Sequence, residues 1–121
     1  MDLRGTVTLI TGAKRIGAVV AEAIAARGGS VALSYARSEA EARAAAERVA
    51  SHGGRTAVLQ ADLSQPEACD RLVQETVGAL GRLDVLINMA SVYTNKPLAD
   101  LTLADWDAVV KFLEAVEQFE R

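Results

Sequence analysis

Val7-Thr8-Leu9-Ile10, followed by Thr11-Gly12-Ala13-Lys14-Arg15-Ile16-Gly17, decides the fold of this chain. Four apolar or β-branched residues in a row suit a strand buried on both faces. From Ile16 onward the apolar residues recur at helical spacing. A glycine-bounded turn between a buried strand and a helix start is where an α/β sheet holds phosphate. The first-turn N–H groups of a helix lack internal acceptors, and the helix dipole favours an anion there. Lys14 and Arg15 add positive charge at the same place. The plainer alternative is a simple strand-to-helix turn, because the general G-x-G-x-x-G fingerprint is absent.

The pattern repeats outward from this turn. Thr6 to Ile10 reads as the first strand. Arg15 to Arg27 reads as an Ala-rich helix carrying Ile16, Val19, Val20, Ala23 and Ile24, stopped by Gly28-Gly29. Ser30 to Tyr35 is a second strand. Ser38 reads as an N-cap with Glu39 and Glu41 in the first turn of a helix ending near Ser51. Thr56 to Ala61 is a third strand. Ser64 or Gln65 opens a helix with Pro66 in its first turn, ending near Leu80 before Gly81. Leu83 to Met89 is a fourth strand. Thr102 caps a last helix, in which Leu103, Trp106, Val109, Val110, Leu113 and Val116 keep the 3.6-residue period. Strands alternating with helices predict a parallel sheet with right-handed crossovers.

Bulk properties narrow the classes. The 121 residues are half hydrophobic and only 4% aromatic, so the core must be built from Ala, Val, Leu and Ile. A net charge of −3 argues against a nucleic-acid surface. No apolar run approaches the roughly 18 residues of a membrane span. Cys69 is the only cysteine, which fits a reducing, cytoplasmic compartment and a structural role beside Leu72 and Val73. His52 is read as a helix-end residue, and no group has metal-ligand spacing. Trp106 is expected to pack the last helix onto the sheet.

Several motifs stand in order. Thr11-Gly12 follows the first strand, Asp62-Leu63 the third, and Asn88-Met89-Ala90-Ser91 the fourth; Asp105-Trp106-Asp107 lies in the last helix. Over about residues 3 to 110 the chain resembles the N-terminal half of a short-chain dehydrogenase/reductase. Lys14-Arg15-Ile16-Gly17, Ala90-Ser91-Val92-Tyr93 and Pro97-Leu98 are most similar to the pteridine-reductase-like or acyl-carrier ketoreductase-like branches. The resemblance implies a truncated Rossmann-type, doubly wound α/β fold. Its four parallel strands would run in the order 3-2-1-4 with helices on both faces, as one partial dinucleotide-binding domain spanning residues 1–121.

The resemblance also assigns roles. Gly12 would let the backbone approach a pyrophosphate, with Lys14, Arg15 and Ile16 around it, and Gly17 would let the first helix pack close to the sheet. Arg15 stands near the place of the family's middle glycine. The loop is one residue shorter than the family pattern, with only Ala13 to Ile16 between Gly12 and Gly17. One missing residue would rotate the helix entry by about 100°, or make the helix start later. Asp62 would hold the adenine amino group beside the Leu63 backbone; its plainer reading is a helix cap. Asn88 would stabilise the central sheet, and Ala90 and Ser91 would line the ribose and nicotinamide passage. Met89 replaces a second Asn and reads as a core filler.

At the end of the second strand an Asp or Glu would accept the ribose 2′-OH of NAD. Ser34-Tyr35-Ala36-Arg37-Ser38 has none, and Arg37 and Ser38, with Lys14 and Arg15, would surround a 2′-phosphate. The expected cofactor is therefore NADP.

Family members use a Ser and a Tyr-x-x-x-Lys to protonate a carbonyl oxygen during hydride transfer. Tyr35 and Tyr93 are followed four residues on by Glu39 and Pro97, and Leu113 stands where a relay Asn is expected. No catalytic residue carries over, and the strands that would support a small-molecule substrate are not among these residues. Little turnover is expected from the chain alone; the other reading is a non-catalytic nucleotide-binding or subunit-interaction module. Likeness to the family stops near Val110, as a frameshift, a truncation or an engineered end would produce. The tail is nevertheless a good helix, with Phe112 and Phe119 forming a second apolar stripe. With order 3-2-1-4, Val85 to Asn88 would be an open edge, so self-association through this edge or the last helix is expected.

Overall fold

In the computed structural model, residues 2–90 and 97–117 are described. The strands are β1 (Val7–Thr11), β2 (Ser30–Tyr35), β3 (Thr56–Gln60) and β4 (Val85–Asn88). The helices are α1 (Ile16–Ala26), α2 (Glu39–Ser51), α3 (Pro66–Leu80) and α4 (Leu103–Glu117), with a short 3-10 turn at Leu98–Asp100. The strands form one parallel sheet in the order β3-β2-β1-β4. Leu9 pairs with Ala32 on one side and Leu86 on the other, so β1 is central and wholly buried.

Alternation along the strands builds two cores. Ile10, Val31 and Leu33 face α1 and α2, where Ala18, Ala21, Ala42, Ala45 and Val49 meet them. Val7, Leu9 and Ala32 face α3 through Ala68, Cys69, Leu72 and Leu80. The alanines are the physical answer to the scarcity of aromatics: with only a methyl to accommodate, α1 and α2 lie close to the sheet and to each other. The fold is thus doubly wound, as expected, and α4 lies beside α3.

Hydrogen bonds at the strand ends shift some boundaries. Thr6 is drawn into a turn, its N–H and hydroxyl both donating to Leu3 O at 3.1 and 2.6 Å, so β1 begins at Val7 and runs on through Thr11. Asp84 precedes β4: its Oδ2 accepts the Val7 N–H at 2.8 Å while its own N–H donates to Val7 O at 2.9 Å. Arg82 holds the other carboxylate oxygen at 2.6 Å. These partners hold the Asp84 carboxyl below the usual range, the Arg82 hydrogen bond foremost and the Val7 N–H next.

At α4, Thr102 and Asp105 cap reciprocally. Asp105 Oδ2 accepts the Thr102 N–H at 3.0 Å, and Thr102 Oγ1 accepts the Asp105 N–H at 3.3 Å. The expected packing of Trp106 on the sheet is not found, because the side chain is 70% exposed. The helical period was legible, but a period does not name the partner of its apolar face. Among the described residues no strand lies beyond β4 to receive it. Phe119 and the side chains of Phe112, Leu113 and Val116 lie outside the described residues.

Candidate functional site

Because all four strands are parallel, their carboxyl ends share one edge of the sheet. The chain leaves β1 for β2 on one side, and β4 lies on the other, so the β1–β4 crevice is the topological switch point. Gly12 sits at its mouth with φ +88° and donates its N–H to Ser34 O at 3.2 Å. A Cβ on Gly12 would lie 2.8 Å from Ala90 N and 3.0 Å from the Met89 carbonyl carbon. A Cβ on Gly17 would run into the Gly12 carbonyl oxygen. The two glycines therefore let the start of α1 rest on the turn, and the turn rest on the end of β4. In doubly wound folds, a strand-to-helix turn packed this closely at the switch point is the kind of place that holds a diphosphate.

Thr11 joins the same two strands and went unassigned from sequence. Its fully buried hydroxyl accepts the N–H groups of Met89 and Ala90 at 3.2 and 3.4 Å and lies 3.4 Å from Asn88 Oδ1, to which it donates. Asn88 thereby holds the β1–β4 seam, and Ala90 is half-buried directly beside Gly12. Ser91 lies outside the described residues.

Arg15 is the one non-glycine residue with positive φ among the described residues. It takes φ +50° and ψ −110°, a backbone conformation suited to glycine, at the N-cap of α1. The helix starts at Ile16, where the apolar spacing begins, one residue inside the Arg15 to Arg27 span read from the sequence. Lys14, Arg15, Ile16, Gly17 and Met89 line a cleft of about 460 Å³ at the switch point. Met89 is thus a half-buried wall of this cleft and not a core filler. A second cleft of about 390 Å³ opens between α1 and α2, with Lys14 and Arg15 on one wall and Glu41 and Arg48 on the other.

Further along the edge, Arg37 is exposed and Ser38 occupies the N-cap position of α2, though its side chain makes no capping bond. Asp62 Oδ1 accepts from Ser64 N–H at 3.0 Å and Ser64 Oγ at 2.7 Å. The Ser64 hydroxyl and amide, with a smaller contribution from the Arg37 charge, hold the Asp62 carboxyl below its usual range. Asp62 is therefore an ionised turn anchor. It is not the N-cap of α3, a position held by Gln65. The Leu63 side chain is buried in the α3-side core.

Away from this edge, Cys69 is 1% exposed and burial pushes its thiol up, as a structural residue requires. His52 caps the end of α2, with Nε2 at 3.3 Å from Glu22 Oε1. Among the described residues no three His, Cys, Asp or Glu side chains gather as a metal site, and no helix is long and apolar enough to cross a membrane.

The short chain dehydrogenase family model matches residues 6–113. The chain belongs to the short-chain dehydrogenase family. It is 42% identical over 101 residues to an uncharacterized oxidoreductase of Methylorubrum extorquens, covering 83% of this chain and 41% of that protein. It is 36% identical over 109 residues to a 3-oxoacyl-[acyl-carrier-protein] reductase of Synechocystis, covering 89% and 44%. Among solved structures it resembles a short chain dehydrogenase from Burkholderia cenocepacia in complex with NADP. The TM-score is 0.91 and the identity 37%, over 98% of this chain and 49% of that one. The chain thus spans less than half the length of these relatives.

Proposed function

We propose that this chain is the NADP-binding part of a short-chain reductase. The observation that carries the reading is the Gly12–Gly17 cradle at the switch point, within a chain 37% identical to a protein solved with NADP. The pyrophosphate would lie against the Gly12 to Gly17 turn, with Ile16 and Met89 as the apolar wall. Arg37 and Ser38, with Lys14 and Arg15, would take the 2′-phosphate. Asp62 and the Leu63 backbone would meet the adenine, and Asn88, Ala90 and Ser91 would border the nicotinamide ribose. When bound, the nicotinamide supplies a hydride, which in this family goes to a carbonyl or a pteridine-type substrate. The chain's own part is to bind and orient that cofactor. Its 121 residues hold no Tyr-x-x-x-Lys, so little turnover is expected from them alone.

Titration calorimetry of the pure chain with NADPH and NADH tests the reading. Tighter binding of NADPH supports it, while equal or reversed affinities would sink it. A carbonyl-dependent oxidation of NADPH by the same preparation would overturn the claim of low turnover.

A second reading rests on a separate observation. Val85 on the open edge is 42% exposed, and Leu103 and Trp106 on α4 are 80% and 70% exposed. An open apolar strand edge and an exposed apolar helix face each favour association with another chain. In this reading the half-sheet binds nucleotide or a partner without catalysing anything.

A further inference from the structure

The α1–α2 cleft holds a charge that the NADP reading does not use. Its walls carry three cations, Lys14, Arg15 and Arg48, and one carboxylate, Glu41. Arg48 is already engaged, with Nε at 4.0 Å from Glu22 Oε2. Lys14 is also engaged, with Nζ at 3.9 Å from Glu41 Oε1. Arg15 has no carboxylate within ion-pair distance among the described residues. Lys14, beside the turn, is thus paired from inside the cleft by a residue in the first turn of α2.

We infer that Glu41 is a resident counter-ion of the 2′-phosphate pocket, and so sets how strongly the chain separates NADP from NAD. The inference rests on the NADP reading above and concerns the residue that opposes it. Without nucleotide, Glu41 holds the Lys14 ammonium. A 2′-phosphate drawn to Lys14 and Arg15 must take that ammonium away from Glu41 and bear the repulsion of the carboxylate left behind. NAD brings no charge to this position, so its affinity does not register Glu41. Both partners of the pair are about half exposed, so the effect is that of a solvated ion pair. Removing the carboxylate should then strengthen NADP binding by about fivefold, the scale of one such pair. The position is exposed on α2, and glutamine is as good a helix former as glutamate, so Glu41→Gln should fold normally.

The test is calorimetric binding of NADPH and NADH to the 121-residue chain and to its Glu41→Gln, Lys14→Gln and doubly substituted forms, each checked for folding by circular dichroism. Glu41→Gln is expected to bind NADPH about fivefold tighter with NADH unchanged, and that gain should largely vanish when Lys14 is also glutamine. An unchanged NADPH to NADH ratio in Glu41→Gln overturns the inference and leaves the NADP reading standing. A gain that survives whole in the Lys14→Gln background also overturns it, since Glu41 would then act by repulsion without holding Lys14. Failure of every form to bind either nucleotide overturns the NADP reading and the inference with it.

Discussion

At the residue scale, the turn after β1 is governed by three backbone facts. Gly12 and Gly17 leave no room for a Cβ, and Arg15 occupies a conformation that suits glycine. Gly17→Ala should therefore destabilise the fold by about 3 kcal/mol, through a clash that α1 relieves only by moving off the turn. Arg15→Gly should do the opposite. Releasing strain of about 1 to 3 kcal/mol, less the added entropy of glycine, leaves a gain near 1 kcal/mol. Urea unfolding of both variants checks the signs; a destabilised Arg15→Gly would contradict the strain assignment. The same substitution should weaken NADPH binding, because it removes a guanidinium from the cleft.

Asp84 gives a pH signature at the same scale. Its carboxyl titrates below the ordinary aspartate range in the folded chain. Its charge therefore contributes stability above the unfolded pKa of about 3.9, and that contribution fades as pH falls through the lower folded value. Melting curves of the chain and of Asp84→Asn should differ at pH 7 and draw together only as pH falls from ~4 through the lower folded value. A gap that persists at low pH would assign the effect to geometry instead of charge.

At the element scale, Thr102→Ala should cost α4 about 1 kcal/mol by removing one half of its reciprocal cap. Faster amide exchange confined to the first turns of α4 would show it, and unchanged exchange there would contradict it. Elements of this kind were readable because their signals are local. Pro66, Gly81 and Thr102 mark helix ends by chemistry within a few residues. β2 was equally plain, since its apolar run stops at residues that leave the sheet. Of the misread ends, the start of β4 is set by a distant partner. β4 begins at Val85 because the Asp84 carboxylate takes the Val7 N–H, across 77 residues of sequence. Thr11 escaped notice for the same reason: its hydroxyl serves the β4 end, which lies beside it only after folding. Trp106 shows the limit from the other side, for its periodicity was correct and its inferred packing was not.

At the scale of the whole molecule, a parallel sheet is ordinarily covered on both faces and at its inner strands. Here the central β1 is fully buried, yet β4 next to it is an edge, with Val85 exposed. Among the described residues the chain accordingly carries the β1–β4 crevice beside an open strand edge. Self-association should follow: sedimentation at micromolar concentration is expected to show species larger than the monomer, and Val85→Lys should shift them toward monomer. A clean monomer for the unsubstituted chain would count against it. The position of the crevice was legible from the order of Gly12, Asp62 and Asn88 along the chain. The charge balance around it was not, because Glu41 meets Lys14 only across two helices. The most direct test of the central claim is calorimetric titration of the 121-residue chain with NADPH and NADH side by side. NADPH is expected to bind at least about tenfold tighter, the scale of one charge-assisted phosphate contact. Equal affinities, a preference for NADH, or no binding of either would contradict the account.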